Sequence, residues 1–176
     1  DLGLENQVLV ADTHGAYGKI AANFYGNPSK KLKLIGVTGT KGKTTVTSLI
    51  KAILTRTGQK VGLIGTIQNE IGDEVLHTEN TTPDAMELER LYRKMVEAGC
   101  EYCVMEVSSH ALDQERIGDS HYEVAVFTNL SHEHLDYHKD MESYFAAKKK
   151  LFSRCDKAVV NVDDAYGRRI AADCTC

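Results

Sequence analysis

The sequence predicts an α/β fold: a mostly parallel sheet with helices on both faces. Three observations predict it. From residue 32 onward, short apolar runs alternate with amphipathic stretches. Those stretches have the length and the 3.6-residue period of helices that cross between parallel strands. The apolar runs are compact, as strands covered on both faces must be.

The elements follow in order. Residues 1–27 read as a leader, with a short extended stretch at Val8-Leu9-Val10 and a helical pattern around Ile20, Ala21, Phe24 and Tyr25. Gly26-Asn27-Pro28-Ser29 breaks that helix. Residues 32–38 form an apolar run that ends in glycines and suits a buried strand. A helix is expected over 43–57, with Val46, Leu49, Ile50 and Ile53 on one side, and a second strand over 61–64. Residues 66–71 and 74–77 flank Gly72-Asp73 as a hairpin. The stretch 84–98 is helical, with Leu88, Leu91, Met95 and Val96 on one face, and Gly99 closes it. Strands are expected at 102–107, 123–128 and 158–162, with helices at 141–152 and 165–172.

Composition narrows the function. Of 176 residues, 42% are hydrophobic and 26% charged, which is the make-up of a packed domain rather than a disordered chain. A net charge of −4 argues against a nucleic-acid footprint or a polybasic membrane anchor. It leaves room for a phosphate-bearing substrate, because local amides and one or two lysines hold phosphate inside an acidic protein. No apolar run reaches the ~18 residues of a membrane helix, and no signal pattern opens the chain, so a cytoplasmic location is the expectation. Five cysteines, Cys100, Cys103, Cys155, Cys174 and Cys176, are an odd number and point to reduced thiols. Cys100 and Cys103 have metal-like spacing but no second pair, and they read as core thiols.

The sharpest signal is Gly36-Val37-Thr38-Gly39-Thr40-Lys41-Gly42-Lys43-Thr44-Thr45. A strand runs into glycines and a helix opens at Lys43. Glycines let backbone amides turn inward as an anion nest, and the helix N-terminus adds partial positive charge. Lys43 can reach β- and γ-phosphates, and the Thr44 hydroxyl can ligate Mg²⁺. The usual spacing would place glycine at 37, where Val37 stands; the Gly-Lys-Thr end and the strand–loop–helix context are intact. The fold is therefore expected to be P-loop-containing, with Gly39, Thr40, Lys41, Gly42, Lys43, Thr44 and Thr45 around the phosphates. The bland alternative is a glycine-rich turn without a ligand.

Glu106 closes the 102–107 strand on the edge that faces the ligand crevice of an open α/β sheet. There it can hold Mg²⁺ beside a phosphate or simply face solvent. After the next strand, His132, Glu133, His134, Asp136 and His138 crowd seven residues. A zinc site from His134 and His138 is conceivable at helical spacing, but Leu135 stands where a zincin has glutamate. Mg²⁺ with oxygen ligands and one histidine suits a phosphate loop better. Lys148-Lys149-Lys150 point 100° apart on their helix, so at least one faces solvent.

Together, the 38–45 loop, Asn80-Thr81-Thr82, Met105-Glu106-Val107-Ser108-Ser109-His110, Asn129-Leu130-Ser131, His134-Leu135-Asp136-Tyr137-His138 and Asn161-Val162-Asp163-Asp164 resemble the ATP-dependent Mur ligases, and among them the MurE-type ligases. The resemblance covers nearly the whole chain. It implies that 1–27 is the tail of an N-terminal UDP-binding domain and 28–176 the first, larger part of a central ATP-binding domain, with the C-terminal domain absent. It implies ATP and Mg²⁺ as cofactors, UDP-MurNAc-L-Ala-D-Glu and an amino acid (a diamino acid expected) as substrates, and a monomer with no nucleic-acid or membrane partner. ATP would phosphorylate the free carboxylate, and the amine of the incoming amino acid would attack the acyl phosphate. Such chemistry needs positioning and charge neutralisation more than covalent protein groups.

The resemblance also distributes roles. Lys43, Glu106, His134 and Lys148 would be catalytic. Thr44 and Glu106 would ligate one Mg²⁺ and His134 a second. Lys148 would be carbamylated by CO₂, and Asn161 would lie near the nucleotide base. Asn80, Thr81, Thr82, Ser108, Gln114 and Arg116 would hold the UDP-MurNAc-dipeptide; a guanidinium pairs well with carboxylate or phosphate. Two departures stand out: Lys41 replaces an asparagine of the family loop, and Glu133 replaces an aspartate. Without the C-terminal domain the chain alone is expected to show little or no turnover. The competing readings are a folylpolyglutamate synthase-like or cyanophycin synthetase-like ligase, a non-catalytic nucleotide-binding fragment, and a small-molecule P-loop kinase.

Overall fold

The computed structural model describes residue 3 and residues 5–175. Cys176, one of the thiols expected above, lies outside them, as do three residues of the leader. The strands are β1 (Lys33–Thr38), β2 (Val61–Ile64), β3 (Asn69–Ile71), β4 (Glu74–Leu76), β5 (Tyr102–Glu106), β6 (Tyr122–Phe127) and β7 (Cys155–Val160). The helices are α1 (Thr13–Phe24), α2 (Lys43–Arg56), α3 (Ala85–Glu97), α4 (Ser109–Asp113), α5 (Leu135–His138), α6 (Met141–Lys149) and α7 (Ala165–Asp173). All seven strands form one sheet in the order β4-β3-β2-β5-β1-β6-β7. The run β2-β5-β1-β6-β7 is parallel, and the β3–β4 hairpin closes one edge antiparallel. β1 pairs with β5 (Val37 opposite Glu106) and with β6 (Thr38 opposite Phe127), which brings three loop-bearing strand ends together.

The α/β class and the mostly parallel sheet are as expected, but the two faces are covered unequally. On one face Leu34, Ile64, Cys103, Met105, Ala125 and Phe127 pack under Leu88, Tyr92 and Met95 of α3, Leu112 of α4, Tyr144 and Phe145 of α6 and Ile170 of α7. Each such buried large apolar side chain contributes roughly 1.5–3 kcal/mol. On the other face α2 lays Ile50 and Leu54 over Ile35, Val61, Leu63 and Val104. Beyond α2 this face opens: Val124 and Val126 are half-buried and Val159 is exposed.

Several expectations are corrected. Val8-Leu9-Val10 forms no strand and is exposed. Ile20 and Phe24 are exposed as well; α1 buries its small side, Gly18, Ala21 and Ala22, where it packs on α3. A Cβ at Gly18 would stand 2.8 Å from the Gly118 Cα, so only glycine permits that approach. Leu49 and Ile53 of α2 face away from the sheet, because the buried row runs one residue later, through Ile50 and Leu54. The hairpin strands are shorter than expected, because Thr66 leaves the strand to bond the site. β7 begins at Cys155, three residues early, and the helix over 141–152 passes into a 3₁₀ turn at Lys150–Ser153. The short α4 and α5 were not anticipated.

Among the described cysteines, burial pushes the Cys100 and Cys103 thiols up. That fits inert core thiols.

Candidate nucleotide and metal site

The phosphate loop joins β1 to α2 at the edge where the parallel strands end. Its glycines are required by shape. Gly39 (φ 147) and Gly42 (φ 86) occupy the left-handed half of backbone space, and a Cβ at Gly39 would stand 1.9 Å from the Thr128 Oγ1. Gly42 sits at the N-cap of α2 with no side chain to bond the first amides, which leaves them aimed at a ligand.

The segment after β6 stitches the loop in place. The Asn129 amide brackets one residue: its Oδ1 accepts from the Lys41 N at 3.0 Å and its Nδ2 donates to the Lys41 O at 3.0 Å. Thr128 Oγ1 donates to the same carbonyl at 2.7 Å, and Thr40 N donates to Asn129 O at 2.9 Å. Asp164, the N-cap of α7, accepts from Leu130 N at 3.0 Å and so pins that segment from behind. Asn161 is also behind it: its Nδ2 donates to Thr128 O at 2.9 Å.

Two lysines converge on one carbonyl. Lys43 Nζ donates to Gly39 O at 3.0 Å and to Thr40 O at 3.1 Å, and Lys148 Nζ donates to Gly39 O at 2.9 Å. Burial lowers both ammonium pKa values. The effect on Lys43 is opposed by the Glu106 charge, whereas Lys148, wholly buried and beside Lys43, is pushed down to about 7. Lys149 and Lys150 are instead surface partners of Asp173 and of Asp113, in line with the expectation of solvated neighbours.

Glu106 is buried at the end of β5 and surrounded by donors. Thr44 Oγ1 donates to its Oε1 at 3.0 Å, Thr66 N to Oε1 at 2.9 Å and Thr66 Oγ1 to Oε2 at 3.1 Å. A pair of hard oxygen donors from Thr44 and Glu106 beside an uncapped helix N-terminus fits Mg²⁺ with phosphate.

The expected substrate residues border this corner. Thr81 Oγ1 lies 3.1 Å from Thr66 Oγ1, whose one proton goes to Glu106, and Thr82 Oγ1 donates to Glu106 O at 2.8 Å while accepting from Ser108 N at 3.0 Å. Arg116 bonds Thr82 O and Gln114 Oε1, and Gln114 reaches the Tyr137 hydroxyl at 3.2 Å. Ser108 caps α4 through Ala111 N. Asn80 lines a neighbouring cleft with His77, Glu79 and Glu87. Thr45 faces solvent on α2.

His134 adopts a left-handed backbone (φ 58) and meets His110 edge-on at 5.0 Å. His138 is buried, and its Nε2 is engaged with Ser109 Oγ at 2.9 Å, so the zinc pairing with His134 gains no support. Burial lowers the pKa values of His110 and His138, and the neighbouring histidines act in the same direction. The two departures, Lys41 and Glu133, pair with each other at 2.8 Å. Sequence reasoning gave no role to Thr66, Asn129, Tyr144 or Asp164. Asn129 and Asp164 stand inside motifs already singled out, whereas Thr66 carries no motif at all.

Comparison with known proteins decides the family. The profile of the Mur ligase middle domain matches residues 37–175. The chain belongs to the Mur ligase family. A UDP-N-acetylmuramoyl-L-alanyl-D-glutamate--2,6-diaminopimelate ligase of Caldanaerobacter subterraneus subsp. tengcongensis is 54% identical over 160 residues, 90% of this chain and 33% of that protein. The ligase of the same name from Clostridium tetani is 47% identical over 178 residues, 97% of this chain and 37% of that protein. This Mur ligase chain thus spans about a third of the length of the curated relatives it matches. A solved structure of a 2,6-diaminopimelate ligase of that name superposes with a TM-score of 0.86 at 33% identity, over 98% of this chain and 36% of that one. The E. coli FolC structure with ADP, at 21% identity and a TM-score of 0.65, shares the fold. Among the described residues, no helix is long and apolar enough to cross a membrane.

Proposed function

We propose that the protein carrying this chain is an ATP-dependent ligase that joins 2,6-diaminopimelate to UDP-MurNAc-L-Ala-D-Glu, in the cytoplasm, during peptidoglycan precursor synthesis. One observation carries the reading: buried Lys148 shares the Gly39 carbonyl with Lys43, inside the phosphate loop and with a pKa near 7. An amine that is half neutral near pH 7 can add to CO₂ and become the anionic carbamate.

Residues 28–176 then serve as the first part of the ATP-binding domain, and 1–27 as the tail of the domain before it. Lys43 would leave Gly39 O to hold the β- and γ-phosphates, with the α2 amides and the backbone from Gly39 to Thr45 around them. Asn161 would stand near the base. Thr44 and Glu106 would hold one Mg²⁺ and His134, oriented with carbamylated Lys148, a second; the ions neutralise charge on the transferring phosphoryl group. Thr81, Thr82, Ser108, Gln114 and Arg116, with Asn80, would present the D-Glu carboxylate to the γ-phosphate. The carboxylate oxygen attacks phosphorus and ADP leaves. The amine of the third residue then attacks the acyl carbon, loses a proton and expels phosphate. The 47–54% identity to named diaminopimelate ligases supports this substrate over a folate one.

The test is phosphate release by the full-length protein with ATP, UDP-MurNAc-L-Ala-D-Glu and diaminopimelate. Turnover that Lys43→Ala abolishes is the expected result. Turnover with folate plus glutamate, or none with the muramoyl dipeptide, overturns the reading.

A further inference from the structure

Behind the phosphate loop lies a buried chain of polar side chains. Tyr144 is wholly buried on α6, and its hydroxyl lies 3.2 Å from Thr40 Oγ1. Thr40 spends its one proton on Ser131 O at 3.3 Å and accepts from Ser131 N at 3.0 Å. Tyr144 is therefore the donor in the Thr40 bond. The next link is His138, whose ring stacks on Tyr144 with centroids 5.0 Å apart and planes 27° apart. His138 Nε2 then reaches Ser109 Oγ at 2.9 Å, on the first residue of α4. Ser109 directly follows Ser108 on the substrate side of Glu106. Two more groups lean on the same ring: Lys148 Nζ lies 4.7 Å over its face and His134 approaches edge-on at 6.0 Å.

We propose that Tyr144 and His138 are positioning residues that hold the phosphate loop and the start of α4 in one register, so that nucleotide and acceptor carboxylate meet in line. The inference rests on the ligase reading. Neither residue reaches a reacting atom. Tyr144 acts through Thr40 on the loop, and His138 acts through Ser109 on the substrate edge. Their stacking contact joins the two halves. Misplacing either half by a fraction of an ångström costs rate without removing any chemical group.

The experiment is steady-state kinetics of the full-length ligase. Tyr144→Phe keeps the ring, the stack and the contact with Lys148 and removes only the hydroxyl. It is expected to raise KM for ATP about three- to tenfold, the size set by one neutral hydrogen bond, with KM for the muramoyl dipeptide unchanged. His138→Phe keeps the stack and removes the bond to Ser109. It should raise KM for the muramoyl dipeptide by a similar factor and leave KM for ATP unchanged, and His138→Gln, which can still bond Ser109, should restore much of the loss. Variants that lower the melting temperature with both KM values and kcat unchanged would show a purely structural role and overturn the proposal. So would equal shifts in both KM values. Failure of the unmutated protein to turn over would instead count against the ligase reading itself.

Discussion

Glu89 lies buried on α3, with Oε2 lacking a hydrogen-bond partner. Burial, with the Asp119 charge adding to it, pushes its carboxyl up to about 7. In the unfolded chain the same group titrates near 4.5. The folded state therefore binds the extra proton. Stability from this group is full below pH 4.5 and is lost as pH rises toward and through 7, by about 3 kcal/mol at 1.36 kcal/mol per unit. Glu89→Gln should melt higher than the parent chain at pH 8, and the gap should close at pH 4; scanning calorimetry at the two values checks this. Glu89 is a position where the sequence misleads, since a glutamate in an amphipathic helix reads as a surface residue. The phosphate loop was legible because its chemistry is local: glycines, a lysine and a threonine at fixed spacing. The roles of Asn129 and Tyr144 were not, because each acts on residues that are distant in sequence and meet it only through strand order.

At the scale of elements, the stitch between the phosphate loop and the segment after β6 is held from behind by α7. Asp164 accepts from Tyr166 N and Gly167 N as an N-cap and from Leu130 N with its second oxygen. Asp164→Ala would remove the cap and leave the Leu130 amide without its acceptor. A loss of about 1–2 kcal/mol is expected in urea unfolding, together with weaker ATP binding through the segment that stitches the loop. Asp164→Asn keeps one acceptor oxygen for the cap but sets an NH2 where Leu130 N needs an acceptor, so it should recover only the capping part of the loss. Long periodic helices such as α3 were legible to within a residue, because Asp84 caps one end and Gly99 the other. The exposed side of α2 was read wrongly. Val46, Leu49, Ile50 and Ile53 do share a broad side, but the strip turned toward the sheet runs through Thr47, Ile50 and Leu54. Periodicity cannot fix a helix's rotation about its axis to better than about one residue, or 100°. α4 and α5 are too short to carry a period at all.

Across the whole molecule, protection should follow sheet position. β1 and β5 are paired on both sides, whereas β4 and β7 end the described sheet. Amide exchange in the isolated chain should be slowest in Leu34–Val37 and Val104–Met105 and fastest in β4 and the outer half of β7, read by mass spectrometry. Uniform protection across β7 would mean that another chain or a second copy pairs with that edge. The strand order has a consequence for synthesis. Both neighbours of β1 come later in the chain: β5 is made only after the β2–β4 region, and β6 later still. While a ribosome is extending the polypeptide, β1 has no strand to pair with, although the β3–β4 hairpin can close at once. The phosphate loop hangs from β1 and is stitched by residues beyond β6. Nucleotide binding is therefore a property the nascent chain acquires late, and a ribosome paused before residue 129 presents the loop's full sequence without the geometry that makes it a site.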